Sequence, residues 1–273
     1  MTDAIDPRRL RVTVTIGDHA TAYEGLAMVC SGTKCANASE NSAEVRILDL
    51  AQETRDRLLT ECSPFNSNKQ RKRMRIEAGR VSTGLALIFA GDIVTSAAGQ
   101  PPDPAISLKS QTGAHDRCQT VSRCIGACSH KGLAGQIADE MGLSLDYSAT
   151  DKRISNYSHA GDRLTEVAKL GKAGGVRAYV DDGHLVVTNA DAARPGPARV
   201  LDVDSGLVGI PEWTEHGVKV RYLADSTSRL GGQLILRSKL NPAVNGAWRI
   251  AKLGFELASR DTPWYYLAEC TRL

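Results

Sequence analysis

The sequence predicts a mainly β protein in which a small α+β module sits between two strand-rich parts. Three observations predict it. Apolar and polar residues alternate with a period of two through most of the first 110 residues. Helical spacing of apolar residues appears only in the middle third. Strand patterning then returns beyond a stiff Arg194-Pro195-Gly196-Pro197 connector. The composition of the 273 residues agrees: 42% are hydrophobic and 24% charged, which excludes disorder over the whole length. Glycine is frequent at 25 and phenylalanine scarce at 3, favouring turns and strands over a helical bundle.

Leu10, Val12, Val14 and Ile16 alternate with Arg11, Thr13 and Thr15, predicting a half-buried strand. Gly17-Asp18 supplies a turn, and Tyr23–Val29 is the expected hairpin partner. Val45 and Ile47 begin another strand. Asp49 and Gln52 are placed like a capping box that opens a helix through Leu58 and Leu59. From Lys72 onward, Met74, Ile76 and Ala78 share one strand face, while Arg71, Arg73, Arg75 and Glu77 share the other. Leu85–Val94 is a more apolar strand that Gly91-Asp92 interrupts. Pro101-Pro102-Asp103-Pro104 forces an extended turn before Ile106–Lys109.

In the middle third, Leu133, Ile137 and Met141 recur every four residues with Gly142 just beyond, predicting a helix with a glycine stop. Leu143–Tyr147 reads as a strand. Leu164, Val167 and Ala168 mark a second helix, expected to end at Gly171. Val176–Val180, Asp181-Asp182-Gly183 and Leu185–Thr188 spell a β-hairpin. Further strands are predicted at Val218–Leu223, Leu234–Leu236, Trp248–Leu257 and Trp264–Ala268. The resulting division is residues 1–115, 116–195 and 196–273, with strands exchanged between the outer two as an open alternative.

A net charge of +3, from 34 basic and 31 acidic residues, is too small for a polyelectrolyte binder of nucleic acid. Met1–Arg9 has no apolar core of a secretory signal, and Leu85–Ala90 is far too short to span a bilayer, so no membrane is expected. Seven cysteines in no disulfide-framework spacing are read as mostly buried thiols.

The series His115, Cys118, Cys124, Cys128, His130 holds the candidate metal ligands Cys118, Cys124, Cys128 and His130. It lacks a Cys-x2-Cys pair, and a linker with buried thiols explains it more simply. No cofactor is expected. Five basic residues in Lys69–Arg75 suit either phosphate contacts or a solvated strand face that resists edge-to-edge pairing. No aromatic residues interleave them for base stacking. Nucleophile elbow, Walker loop, metalloprotease and dinucleotide patterns are all missing. Gly171–Gly175 reads as a helix stop, and Asp181-Asp182 as a hairpin turn rather than a catalytic carboxylate pair.

The carboxyl-terminal third carries an ordered series: Gly206–Pro211, Gly217–Val220, Arg229–Gly231, Asn241-Pro242, Asn245–Trp248, Leu253, Asp261 and Pro263–Tyr265. The amino-terminal third adds Leu10–Thr15, Tyr23–Leu26, Asn41–Leu50, Thr54–Asp56, Ser63-Pro64 and Gly91–Ile93. In this order they resemble the baseplate hub proteins of contractile-tailed bacteriophages, the tail protein D or tail hub family. The resemblance implies two tail-tube-like β-barrel domains with a small α+β module between them. It implies a homotrimer whose six barrels adapt a hexameric tail tube protein to a trimeric central spike protein, with the tape-measure protein as a further candidate partner. DNA would pass through the lumen without specific binding. The chain would be a non-enzymatic virion component, assembled in the host bacterial cytoplasm. Arg71, Arg73 and Arg75 are candidates for a subunit interface or the lumen wall. The rival readings are the spike-base protein of a tailocin or type VI-like secretion apparatus, and a Cys/His metal-dependent cell-wall hydrolase.

Overall fold

Leu10, Val12 and Val14 are buried while the threonines and arginines between them are partly exposed. The amino-terminal alternation is thus realised as β1 (Arg8–Ile16) in the computed structural model, which describes residues 6–37, 41–66, 70–100 and 104–273. The Gly17-Asp18 turn leads into β2 (His19–Glu24), a hairpin partner that begins earlier than the predicted Tyr23–Val29 and shares only Tyr23 and Glu24 with it. Met28–Cys35 is a separate strand, β3, which pairs with β4 (Ser42–Leu48). The helix α1 (Gln52–Glu61) forms, but no capping box opens it: Ala51 is its N-cap and no side chain bonds there. After it come β5 (Lys72–Arg80), β6 (Gly84–Ala98) and β7 (Ala105–Gln111). Gly91-Asp92 does not interrupt β6, which runs through both. The predicted Pro101–Pro104 turn lies largely outside the described residues.

The module begins with a short helix, α2 (Ala114–Arg117), and a two-stranded ribbon of β8 (Thr120–Ser129) and β10 (Arg153–Asp162). That ribbon replaces the linker expected here. Between its strands lie α3 (His130–Met141) and β9 (Ser144–Tyr147). Ser129 caps α3 by accepting from the Gly132 N–H, and Gly142 ends it in the left-handed conformation, as predicted. Asp162 caps α4 (Arg163–Gly174) through the N–H groups of Leu164 and Thr165. This helix continues through Gly171 and stops only at Gly175. β11 (Val176–Asp181) and β12 (His184–Asn189) form the expected hairpin, with Asp182 and Gly183 both at positive φ. β9 joins it as a parallel strand. Leu133, Ile137, Met141, Val167, Leu170 and Leu185 form the module's own core.

The carboxyl-terminal strands are β13 (Arg199–Leu201), β14 (Leu207–Thr214), β15 (Gly217–Leu223), β16 (Gln233–Leu236), β17 (Gly246–Ala258) and β18 (Trp264–Arg272). They share one 13-stranded sheet with β1–β7, because β17 pairs antiparallel with β3. Its main path runs β14-β15-β18-β17-β3-β4-β7-β6-β5-β1-β2, and among the described residues it does not close on itself. One hydrophobic core spans both halves, from Val12 and Ile76 to Tyr222 and Trp264. The two halves are nonetheless built alike. The first reads β3-β4-β7-β6-β5-β1 across its strands, and the second reads β14-β15-β18-β17-β16-β13. Matched strands also follow in the same chain order. Among the described residues three differences remain: β2 has no counterpart, α1 has no helical counterpart between β15 and β16, and β13 pairs parallel with β16 where β1 pairs antiparallel with β5.

Candidate assembly site

The inward face of β3 carries Met28, Cys30, Gly32 and Lys34, so the alternation that buries the first two also buries a lysine. Lys34 is 3% exposed and its ammonium meets the hairpin turn of the module. It pairs with Asp181 at 2.7 Å, with Asp182, and donates to the Ile88 carbonyl at 3.1 Å. Asp182 in turn accepts from the Ala90 N–H at 3.0 Å. Arg194 reaches the same cluster from the connector, bonding Asp181 at 3.1 Å and Asp146 at 2.7 Å. The predicted hairpin turn is present, and it is also a buried electrostatic joint between the sheet, the module and the connector.

Burial acts against every charge in this joint. It pushes Asp182 up to about 6, with Lys34 opposing and Asp181 reinforcing that rise. For Lys34, burial alone would lower the pKa, but the two facing carboxylates together hold it above its ordinary value. The ammonium therefore stays charged at neutral pH.

A second joint lies nearby. Arg71 grips Asp92 with two bonds of 2.7 and 3.2 Å and reaches Asp116 at 3.3 Å. Asp116 also accepts from Arg163 at 3.3 Å, and Asp92 from the His115 N–H at 3.0 Å. Arg71 precedes β5 and anchors the module's first turn. Arg73 and Arg75 are exposed on the outer face of β5, lining a cleft of about 320 Å³ against Leu143 and Asp182. Three arginines read as one face thus divide into one internal anchor and two accessible cations. Lys69 lies outside the described residues.

The Cys/His candidates do not converge. Cys118 and Cys124 are exposed and Cys128 is partly buried, contrary to the reading of buried thiols there. Cys124 and Cys128 stand four residues apart on an extended strand, about 13 Å, too far to share an ion. His130 is buried in the module core, where its Nε2 donates to the Leu170 carbonyl at 2.9 Å and its Nδ1 accepts from the Tyr147 hydroxyl at 3.0 Å. Among the described residues, no three His, Cys, Asp or Glu side chains gather as metal ligands. Cys30, Cys62 and Cys270 are the buried thiols; burial raises all three, Cys62 to about 11 and Cys270 to about 12, leaving them unreactive.

Sequence reasoning missed Lys34, Asp92, Asp116 and Arg194 as buried ions. Their signal was a charged residue at an inward strand position (Lys34) or inside an apolar run (Asp92). Two surfaces complete the site. The outer face of β15, β18, β17, β3, β4 and β7 forms a groove of about 690 Å³ bordered by Arg221, Glu256, Glu44 and Lys109. At the β14 edge, Ile210, Trp213 and Leu240 are 58, 55 and 70% exposed. Such an edge invites another chain.

A family model described as baseplate hub gp41 matches residues 9–270. The fold is similar to that of the 43 kDa tail protein of prophage MuSo2 from Shewanella oneidensis, with a TM-score of 0.65 at 11% identity and 96% of each chain covered. A tail protein from Neisseria meningitidis MC58 gives a TM-score of 0.66 at 10% identity, again covering 96% of each chain. The E. coli c3393 protein, described as a type VI secretion component, gives 0.61 at 10% identity, covering 90% of this chain and 73% of that one. No curated protein matches the sequence.

Proposed function

The chain belongs to the baseplate hub gp41 family, and from that premise we propose that it is the structural hub of a phage tail, a homotrimer that adapts a hexameric tail tube to a trimeric central spike. The observation that carries this reading is the repeated strand order of the two halves. If each half acts as one tube-like lobe, three chains present six quasi-equivalent lobes upward while keeping threefold symmetry below. The tube and spike proteins are then the direct partners, and the tape-measure protein a further one. The role is one of assembly in the host bacterial cytoplasm and service in the virion, without a catalytic step.

The outer sheet face suits the wall of a DNA passage. Arg221 lies 3.9 Å from Glu256 and Lys109 3.6 Å from Glu44, so opposite charges alternate and little net field remains to hold a moving polyanion. Arg73 and Arg75 serve as accessible cations at a subunit or lumen surface. A second reading, the spike base of a tailocin or type VI-like apparatus, draws on the likeness in fold to the secretion component. It keeps the same trimer and differs only in the tube protein that binds.

Native mass spectrometry tests the assembly. The expected species has three times the 29.3 kDa chain mass. A stable monomer or dimer at micromolar concentration contradicts it.

A further inference from the structure

Within the chain, the halves join where one long strand changes partner. β17 pairs with β16 up to Arg249, and its remaining stretch, Lys252–Ala258, pairs antiparallel with β3, the outermost strand of the first half. The repeat supplies a second set of the same parts. β14 is the outermost strand of the second half, and β6 is the long strand of the first. β6 leaves β5 at Asp92, and from Ile93 to Ala98 no described strand pairs with it on that side. We infer that β14 of one copy pairs with this stretch of β6 in the next copy, remaking between chains the β3–β17 junction found within each chain.

The strand registers fix which residues meet. Ile93 faces Ser110, and Ile250 faces Cys270, each just before a bulge in its long strand. Five residues further on stand Ala98 and Phe255. Gly32 pairs with Ala43, which pairs with Ser110; Trp213 pairs with Val218, which pairs with Cys270. Trp213 therefore occupies the place of Gly32. Since Gly32 pairs with Phe255, Trp213 is matched to Ala98.

The sizes at this pair are exchanged. Within the chain a glycine receives a phenylalanine; between chains a tryptophan meets an alanine. Trp213 is oriented to the core side, edge-on to the buried Trp248 ring at 5.9 Å, yet it is 55% exposed because none of the described residues covers that edge. Ala97 and Ala98 are exposed and small enough to admit it. A strand laid about 4.8 Å away would cover Trp213 and the neighbouring Ile210. The occupant is a second copy because the template is this chain's own junction. The inference rests on the trimeric reading: three such contacts and three internal junctions close one ring.

The test is an Ala98→Cys, Trp213→Cys double variant, oxidised and run on a non-reducing gel beside native mass spectrometry of the unmodified protein. Directly paired strand residues stand about 4.5–5.5 Å apart at Cα, within disulfide reach. The expected product is a covalent trimer that neither single variant gives. An Ala98→Trp variant, altered only at an exposed position, should keep the wild-type melting temperature and require at least tenfold more protein to assemble. A trimer by native mass without the cross-link overturns this pairing and leaves the trimeric reading standing. A monomer by native mass overturns both, and wild-type assembly of Ala98→Trp overturns the pairing.

Discussion

Replacing Lys34 with methionine is expected to cost about 3–5 kcal/mol, the penalty for removing one partner of a buried ion pair. The loss is large because Lys34 serves two carboxylates, Asp181 and Asp182, at a position 3% exposed. Without the ammonium, Arg194 still reaches Asp181, but Asp182 keeps only the Ala90 N–H. The pH dependence carries the signature. Burial already places Asp182 near 6, above its ordinary 3.8, so the folded state takes up a proton more readily than the unfolded one. The sign is therefore that this group's contribution to stability rises as pH falls through about 6 toward 4 and is lost as pH rises. Removing Lys34 should raise that pKa further, so urea melts of Lys34→Met should recover stability between pH 7 and pH 5. Asp182→Asn is the counterpart: asparagine tolerates the φ of +48° and keeps an acceptor for Ala90, so a much smaller change is expected. A Lys34→Met protein as stable as wild type at pH 7 would contradict the joint.

Gly32→Val is expected to be comparably severe, at roughly 3 kcal/mol. Any Cβ at Gly32 would lie against the Phe255 ring and 2.6 Å from the Ser42 carbonyl oxygen. The ring can turn aside, but the carbonyl belongs to the neighbouring strand and cannot. Relief requires β3 to move from β4 or β17, and the β3–β17 ladder is what makes the halves one sheet. Hydrogen exchange should show amides of Val29–Cys35 and Lys252–Ala258 losing protection together while the module core keeps its own. Unchanged protection at those strands would remove Gly32 from the account.

The contrast between legible and illegible parts follows from the range of the interactions. β1 and β5 were readable because each buries one face against a core, so Leu10–Ile16 and Met74–Ala78 alternate cleanly. Helix α3 announced itself by Leu133, Ile137, Met141 and the Gly142 stop, and the β11–β12 hairpin by Asp182-Gly183. The β8–β10 ribbon gave no signal, because the half-buried stripe of β8 sets Arg123 between Val121 and Ile125 and its alternation breaks at Gly126-Ala127. The union of the halves was invisible for another reason: β3 and β17 are more than two hundred residues apart, and nothing local in either specifies the partner. The joints were hidden because an inward lysine on a strand looks like any other lysine until the carboxylates facing it are known. Arg71 shows this most plainly: it shares the spacing of Arg73 and Arg75, yet lies just outside β5 and turns inward to Asp92.

End-on electron cryo-microscopy of the purified particle tests most directly the claim that one chain contributes two equivalent lobes to a threefold assembly. The expected image is a closed ring of six lobes with threefold symmetry around an open centre. A ring with one lobe per chain, or a twofold dimer, would contradict it.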